Sequence, residues 1–138
     1  MVRTATANWQ GNLKEGKGTL STQCGILDKT NYSFKTRFEE GQKGTNPEEL
    51  LAASHAGCFT MWVASIIDKK GLIPTSLETK ATLKLEELSI TAIHLSITGS
   101  VKGINADEFA AIVKDAEQNC IISKALKMAI TSESHFVA

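Results

Sequence analysis

Apolar positions change period twice along this chain. Up to about residue 45 they alternate or fall in short β-favouring runs, at 4–10, 18–21 and 32–37, separated by the Gly-rich stretch 10–18 and a polar stretch around 27–31. From there the spacing turns helical. Thr45 or Asn46 is placed to cap, Pro47 suits the first helical position, and Glu48 and Glu49 meet the positive end of the helix dipole. Leu50, Leu51, Ser54, Cys58, Met61, Trp62, Ser65 and Ile66 recur at helical spacing up to Gly71, with Pro74 just beyond. This helix is apolar around much of its circumference and rich in small residues at 52–57, which predicts a central helix covered on most sides.

The period then returns to two. Residues 76–88 and 90–101 read as long strands joined in a hairpin through 86–89. Asn105 opens a second helix with Glu108 as its capping-box partner and Phe109, Ile112, Val113 and Ala116 as its apolar face. Cys120 starts a short helix, 121–128, and a last strand runs 129–137. With no repeat, low-complexity tract or linker in its 138 residues, the chain reads as a single α+β domain, 1–138.

Charge narrows the function. Fifteen Lys and Arg balance fifteen Asp and Glu, so the chain lacks the basic footprint of a nucleic-acid binder and any broad attraction to a membrane surface. No run of about 18 apolar residues is present, and the polar N-terminal stretch lacks the apolar region of a signal peptide. Three widely spaced cysteines, an odd number, do not form a secreted disulfide framework. The expectation is a cytoplasmic protein with reduced thiols.

The thiols are the candidate chemistry. Cys58 falls mid-helix on a mainly apolar face, where the default is an inert buried thiol and reactivity needs a nearby cation. Cys120, at a helix N-terminus, reads as the better intrinsic thiolate. Cys24 lies in a Gln-Cys-Gly turn and reads as incidental. A reactive thiol with a resolving thiol is the usual chemistry of peroxide reduction. Arg37 is one of only two arginines and ends a predicted strand, where its planar fork can serve a thiolate and a carboxylate together, unless it is merely a solvated surface residue. His55 and Cys58, one turn apart, with Cys120 make a weak set of zinc ligands, since neither Cys-x-x-Cys nor His-Glu-x-x-His is present. His94 and His135 read as ordinary strand residues, and no glycine pattern matches a phosphate-binding loop.

Gly44-Thr45-Asn46-Pro47-Glu48-Glu49-Leu50-Leu51, running into His55-Ala56-Gly57-Cys58-Phe59, resembles the osmotically inducible protein C (OsmC) family, relatives of the organic hydroperoxide resistance proteins. Trp9-Gln10-Gly11, Thr36-Arg37-Phe38-Glu39, Pro74-Thr75-Ser76 and Asn119-Cys120 through Leu126 extend the likeness over nearly the whole chain, on the OsmC branch. The resemblance implies an OsmC-like fold and an intertwined homodimer with two active sites at its interface. It implies a thiol peroxidase acting on organic hydroperoxides, and less well on hydrogen peroxide, recycled by a dithiol of the dihydrolipoyl kind, with no metal or organic cofactor. By position, Cys58 resembles the peroxidatic cysteine, Cys120 the resolving one, Arg37 the thiolate-stabilising arginine and Glu48 the carboxylate that anchors it, with Glu49 a secondary neighbour. Ile121 departs from the family's proline after the resolving cysteine.

Glu48 and Cys58 are ten residues apart on one predicted helix, about 15 Å along its axis. If Glu48 and Arg37 serve Cys58, the simplest arrangement takes them from a partner subunit, with the small residues at 52–57 allowing two long helices to cross closely. A second hypothesis is a noncatalytic dimer that binds a small apolar ligand in an interfacial pocket of Phe38, Met61 and Trp62. A third, a thiol–disulfide oxidoreductase acting on proteins, lacks the Cys-x-x-Cys that such enzymes use.

Overall fold

Tryptophan, tyrosine and two close-packed glycines organise the start of the chain. The computed structural model describes residues 1–138 and divides them into two compact units, Met1–Leu50 and Leu51–Ala138. In the first, β1 (Ala5–Gln10), β2 (Lys17–Thr22) and β3 (Thr30–Tyr32) form an antiparallel sheet in that order. Trp9 and Tyr32 meet edge-on at 5.6 Å over Gly18, where any Cβ would come within 2.3 Å of the Tyr32 ring.

The strand expected over 32–37 is not there: pairing stops at Tyr32 and a short helix, α1 (Phe34–Phe38), follows. The cause is local. Ser33 and Thr36 form a reciprocal capping box, with the Ser33 N–H donating to Thr36 Oγ1 (2.8 Å) and the Thr36 N–H to Ser33 Oγ (3.2 Å). Phe34 and Phe38, one helical turn apart, pack with ring centroids 4.8 Å apart. Arg37 is therefore a helical residue. Gly44, at φ +135°, then brings the chain against Asn31, so that the Thr45 N–H donates to the Asn31 carbonyl.

The long helix α2 (Pro47–Lys69) starts where the sequence placed it. Of the two expected caps Asn46 serves: its Oδ1 accepts the Glu49 N–H at 2.8 Å, while its Nδ2 donates to the Thr36 carbonyl at 3.1 Å. By length and composition α2 is apolar enough to cross a membrane, a property hidden from a search for an unbroken apolar run by Ser54, His55, Thr60 and Ser65. Only one row of it is buried within the chain, His55, Phe59, Val63 and Ile67. The expected cover on most sides is absent: Ala53, Ser54, Gly57 and Met61 form an exposed stripe, with Met61 74% accessible.

In the second unit, β4 (Pro74–Glu86) and β5 (Ser89–Val101) make the expected hairpin, and β6 (Ala129–Phe136) adds parallel to β5. Ile93, Leu95 and Ile97 on one face of β5 join Phe59, Val63 and Ile67 of α2 in a single core. That core also takes Phe109, Ile112, Val113 and Ala116 of α3 (Ala106–Asn119), the predicted apolar face, and Cys120. Asn105 and Glu108 cap α3 reciprocally, as the sequence indicates. The short helix α4 (Ile121–Ala125) ends earlier than expected, when the Leu126 backbone turns extended.

The β4–β5 turn carries strain. Glu87 (φ +47°) and Leu88 (φ +63°) both sit in the left-handed region that a two-residue hairpin turn demands and that Asn-Gly satisfies at least cost. The double change Glu87→Asn, Leu88→Gly, which also removes an exposed leucine, is expected to stabilise the protein by about 1 kcal/mol in thermal denaturation. An unchanged or lower Tm would show that the turn is not strained.

Candidate active site

Asn46 sets the candidate cluster of the unit Met1–Leu50. By tying the last carbonyl region of α1 to the first turn of α2, it brings Arg37 and Glu48 face to face. Arg37 Nε and Nη2 both donate to the same oxygen, Glu48 Oε1, at 2.8 and 2.7 Å. The second oxygen, Oε2, is buried without a hydrogen-bond partner. The guanidinium also sits 5.4 Å from the Phe38 ring centre. Glu48 is Arg37's only ion-pair partner; Glu49 lines a polar recess beside Arg37 and Phe38. On the other side Arg37 and Phe38 border a mainly apolar cavity of about 280 Å³ walled by Trp9, Leu13, Tyr32 and Phe34.

A separate cluster lies in the unit Leu51–Ala138. Cys58 on α2 and Cys120 at the start of α4 are free thiols, and both belong to the same packed cluster. Cys120 is completely buried. Burial pushes its thiol pKa up, hydrogen bonds with the Ser123 hydroxyl and backbone N–H oppose that, and the neighbouring Cys58 raises it further. The expectation that helix placement makes Cys120 the better thiolate is thus overturned. The Ser123 N–H does cap onto Cys120 Sγ at 3.3 Å, but desolvation outweighs it. At the first position of α4 stands Ile121, where the resemblance to the family leads one to expect proline. The Cys120 backbone (φ −61°, ψ 147°) already has the extended geometry that a following proline demands, so the change leaves Cys120's own conformation in place.

Two further residues join this cluster and were not singled out by the sequence for it. The Cys120 thiol donates to Ser123 Oγ at 3.0 Å, and Ser123 Oγ lies 2.7 Å from His55 Nε2. His55, weighed with Cys58 and Cys120 as a weak zinc ligand in the sequence, is fully buried, and its Nδ1 has no partner. No group of three His, Cys, Asp or Glu side chains is placed to hold a metal ion. The clue to His55 was its position one turn before Cys58; nothing in the sequence pointed to Ser123.

The remaining candidates are more scattered. Trp62 Nε1 donates to Asp115 Oδ1 at 2.9 Å with Lys124 over its ring, which leaves the indole engaged within the unit, while Met61 faces outward. Cys24 is exposed, and a hydrogen bond with the Thr22 hydroxyl lowers its thiol pKa. His94 and His135 flank Glu133 on the outer face of the sheet at 3.6 and 3.3 Å.

Burial also lowers the pKa of His55. Below the ordinary value near 6.5 the unfolded chain takes up a proton that the folded one refuses. Stability is therefore full above that pH and declines as pH falls from there toward the folded value. His55→Gln is expected to flatten the slope of denaturation midpoints between pH 6.5 and 5; an unchanged slope would mean that His55 titrates alike in both states.

Comparison with known proteins bears on this geometry. The OsmC-like protein family matches residues 40–135. Peroxiredoxin OsmC of Escherichia coli (strain K12) is 44% identical over 129 residues, spanning 91% of this chain and 90% of that protein. Organic hydroperoxide resistance protein OhrA of Bacillus subtilis (strain 168) is 32% identical over 125 residues, 88% and 86% of the two chains. Among solved structures, an OsmC-like protein of unknown function from Vibrio cholerae O1 biovar eltor str. N16961 superposes with a TM-score of 0.78 at 18% identity, covering 97% of this chain and 99% of that one. The organic hydroperoxide resistance protein OhrB of Bacillus subtilis gives 0.66 at 23% identity, covering 97% and 98%. The fold is thus α+β and OsmC-like, and the chain belongs to the OsmC-like protein family.

Proposed function

We propose that the protein is a thiol-dependent peroxidase that reduces organic hydroperoxides to alcohols, and hydrogen peroxide less well. The Cys58 thiolate attacks the O–O bond, the alkoxide leaves and takes up a proton, and Cys58 becomes a sulfenic acid. The Cys120 thiol condenses with it, releasing water and leaving a Cys58–Cys120 disulfide. A dithiol, of the dihydrolipoyl kind, restores both thiols by exchange in the reducing cytoplasm. Arg37 holds Cys58 as the thiolate, and Glu48 orients Arg37.

The observation that carries this reading is the pairing of Cys58 with a buried second thiol in a chain whose relatives are named peroxiredoxin and organic hydroperoxide resistance protein. The Arg37–Glu48 pair supports it, because a guanidinium held by one carboxylate oxygen keeps N–H groups free for a sulfur anion. Ten residues of helix between Glu48 and Cys58 span about 15 Å, which favours supplying that pair from the partner of a homodimer. The exposed small-residue stripe on α2 suits a close helix crossing there. In that assembly the whole chain, 1–138, acts as one domain, and Phe38, Met61 and Trp62 line the substrate's apolar side.

Turnover of cumene hydroperoxide with a dihydrolipoyl dithiol tests the roles. Cys58→Ser is expected to abolish it. Cys120→Ser should consume one equivalent and then over-oxidise, seen by intact mass. Arg37→Ala should slow the reaction at pH 7 at least about tenfold and regain part of the rate at higher pH. Wild-type rates in Arg37→Ala would remove the arginine from the mechanism, and full turnover by a monomeric species would remove the partner.

A further inference from the structure

The mechanism above leaves two buried ionisable groups unused, Glu117, which Lys114 and Ser132 hold, and His55. His55, Ser123 and Cys120 form a continuous chain of polar atoms inside the core, Nε2 to Oγ at 2.7 Å and Oγ to Sγ at 3.0 Å, ending at the thiol that neighbours Cys58. All three residues are essentially inaccessible to solvent, so water has no direct route to the Cys120 proton. We propose that His55 is a positioning residue for resolution: through the Ser123 hydroxyl it accepts the Cys120 proton as that sulfur bonds to oxidised Cys58. This inference rests on the peroxidase reading.

The hydrogen-bond directions fit. Because the Cys120 thiol donates to Ser123 Oγ, the single hydroxyl proton of Ser123 is left to donate onward to Nε2. His55 then carries its own proton on Nδ1, the nitrogen without a partner. When Cys120 Sγ attacks the sulfenyl sulfur of Cys58, the S–O bond breaks and hydroxide departs. The thiol proton passes to Ser123 Oγ, and the Ser123 proton to Nε2. The imidazolium then gives up that proton to the departing hydroxide, so the sum is sulfenic acid plus thiol giving disulfide plus water.

The resting state is held back. Burial raises the Cys120 thiol and lowers the imidazole, so the proton stays on sulfur until the sulfur's electron pair is engaged. The titratable group at the far end of this chain is the Cys120 thiol, with Cys58 beside it; burial alone accounts for the His55 shift, and no charged side chain contributes. One consequence is selectivity. Cys120 stays a thiol toward peroxide while remaining competent toward the Cys58 sulfenic acid, whose sulfur is the more electrophilic partner.

The test follows both half-reactions in reduced full-length protein mixed with one equivalent of cumene hydroperoxide, from pH 5.5 to 9. Sulfenic acid at Cys58 is read by dimedone trapping, and disulfide formation by acid quench and mass. In His55→Gln and Ser123→Ala, disulfide formation at pH 7 is expected to slow at least about tenfold and to climb with pH, because without the relay the proton leaves only through transient openings of the core that admit solvent base. Ser123→Thr, which keeps the hydroxyl, should restore the wild-type profile. Ser123→Ala leaves the imidazole in place and keeps the test open if His55→Gln does not fold. Variants that keep the wild-type pH profile, whatever their overall rate, would overturn the relay. A wild-type protein that forms no Cys58 sulfenic acid would instead remove the peroxidase reading, and the relay with it.

Discussion

Burial of the Cys120 thiol constrains the chemistry more than any other feature. A thiol in an apolar core resists ionisation, and this one sits among Phe109, Val113 and Ala116 of the α3 face with no water contact. What makes it more than an inert filler is its company. Cys58 is beside it on α2, and Ser123 and His55 supply the polar path that a buried S–H needs. The core is thereby asked to do two things at once. It packs as a hydrophobic cluster, and in the proposed mechanism it holds a second nucleophile in a protonated state until the first has been oxidised.

The Arg37–Glu48 pair obeys a different constraint, that of α2 itself. The helix starts at Pro47 because Asn46 caps it, and the same asparagine holds α1, so Arg37 and Glu48 are fixed to the first turn of α2 while Cys58 lies almost three turns on. A rigid helix cannot fold back to close that gap. The proposed homodimer resolves it with the exposed stripe of Ala53, Ser54, Gly57 and Met61, a surface that burial within one chain does not explain.

Much of this was legible in the residues, and the failures have identifiable causes. The α2 start, the β4–β5 hairpin and the capped α3 with its four apolar positions follow from period and capping chemistry, which act over a few residues. The segment after Tyr32 misled because its aromatic residues alternate like a strand, while the Ser33–Thr36 capping box quietly favours a helix. The Cys120 ionisation was misjudged because a helix N-terminus is visible in sequence and burial is not. Ser123 was silent, since its importance comes from a contact 68 residues away in the chain. The family resemblance named Cys58, Cys120, Arg37 and Glu48, and the structure places them as two pairs; how those pairs act together is the substance of the proposed mechanism.

The most direct measurement is the fate of the three thiols after one equivalent of an alkyl hydroperoxide, mapped by intact and peptide mass. The account predicts a fast, stoichiometric Cys58–Cys120 disulfide within one chain, with the exposed Cys24 still free and the disulfide reversed by a dithiol. Slow oxidation spread over all three thiols, or oxidation led by Cys24, would contradict it.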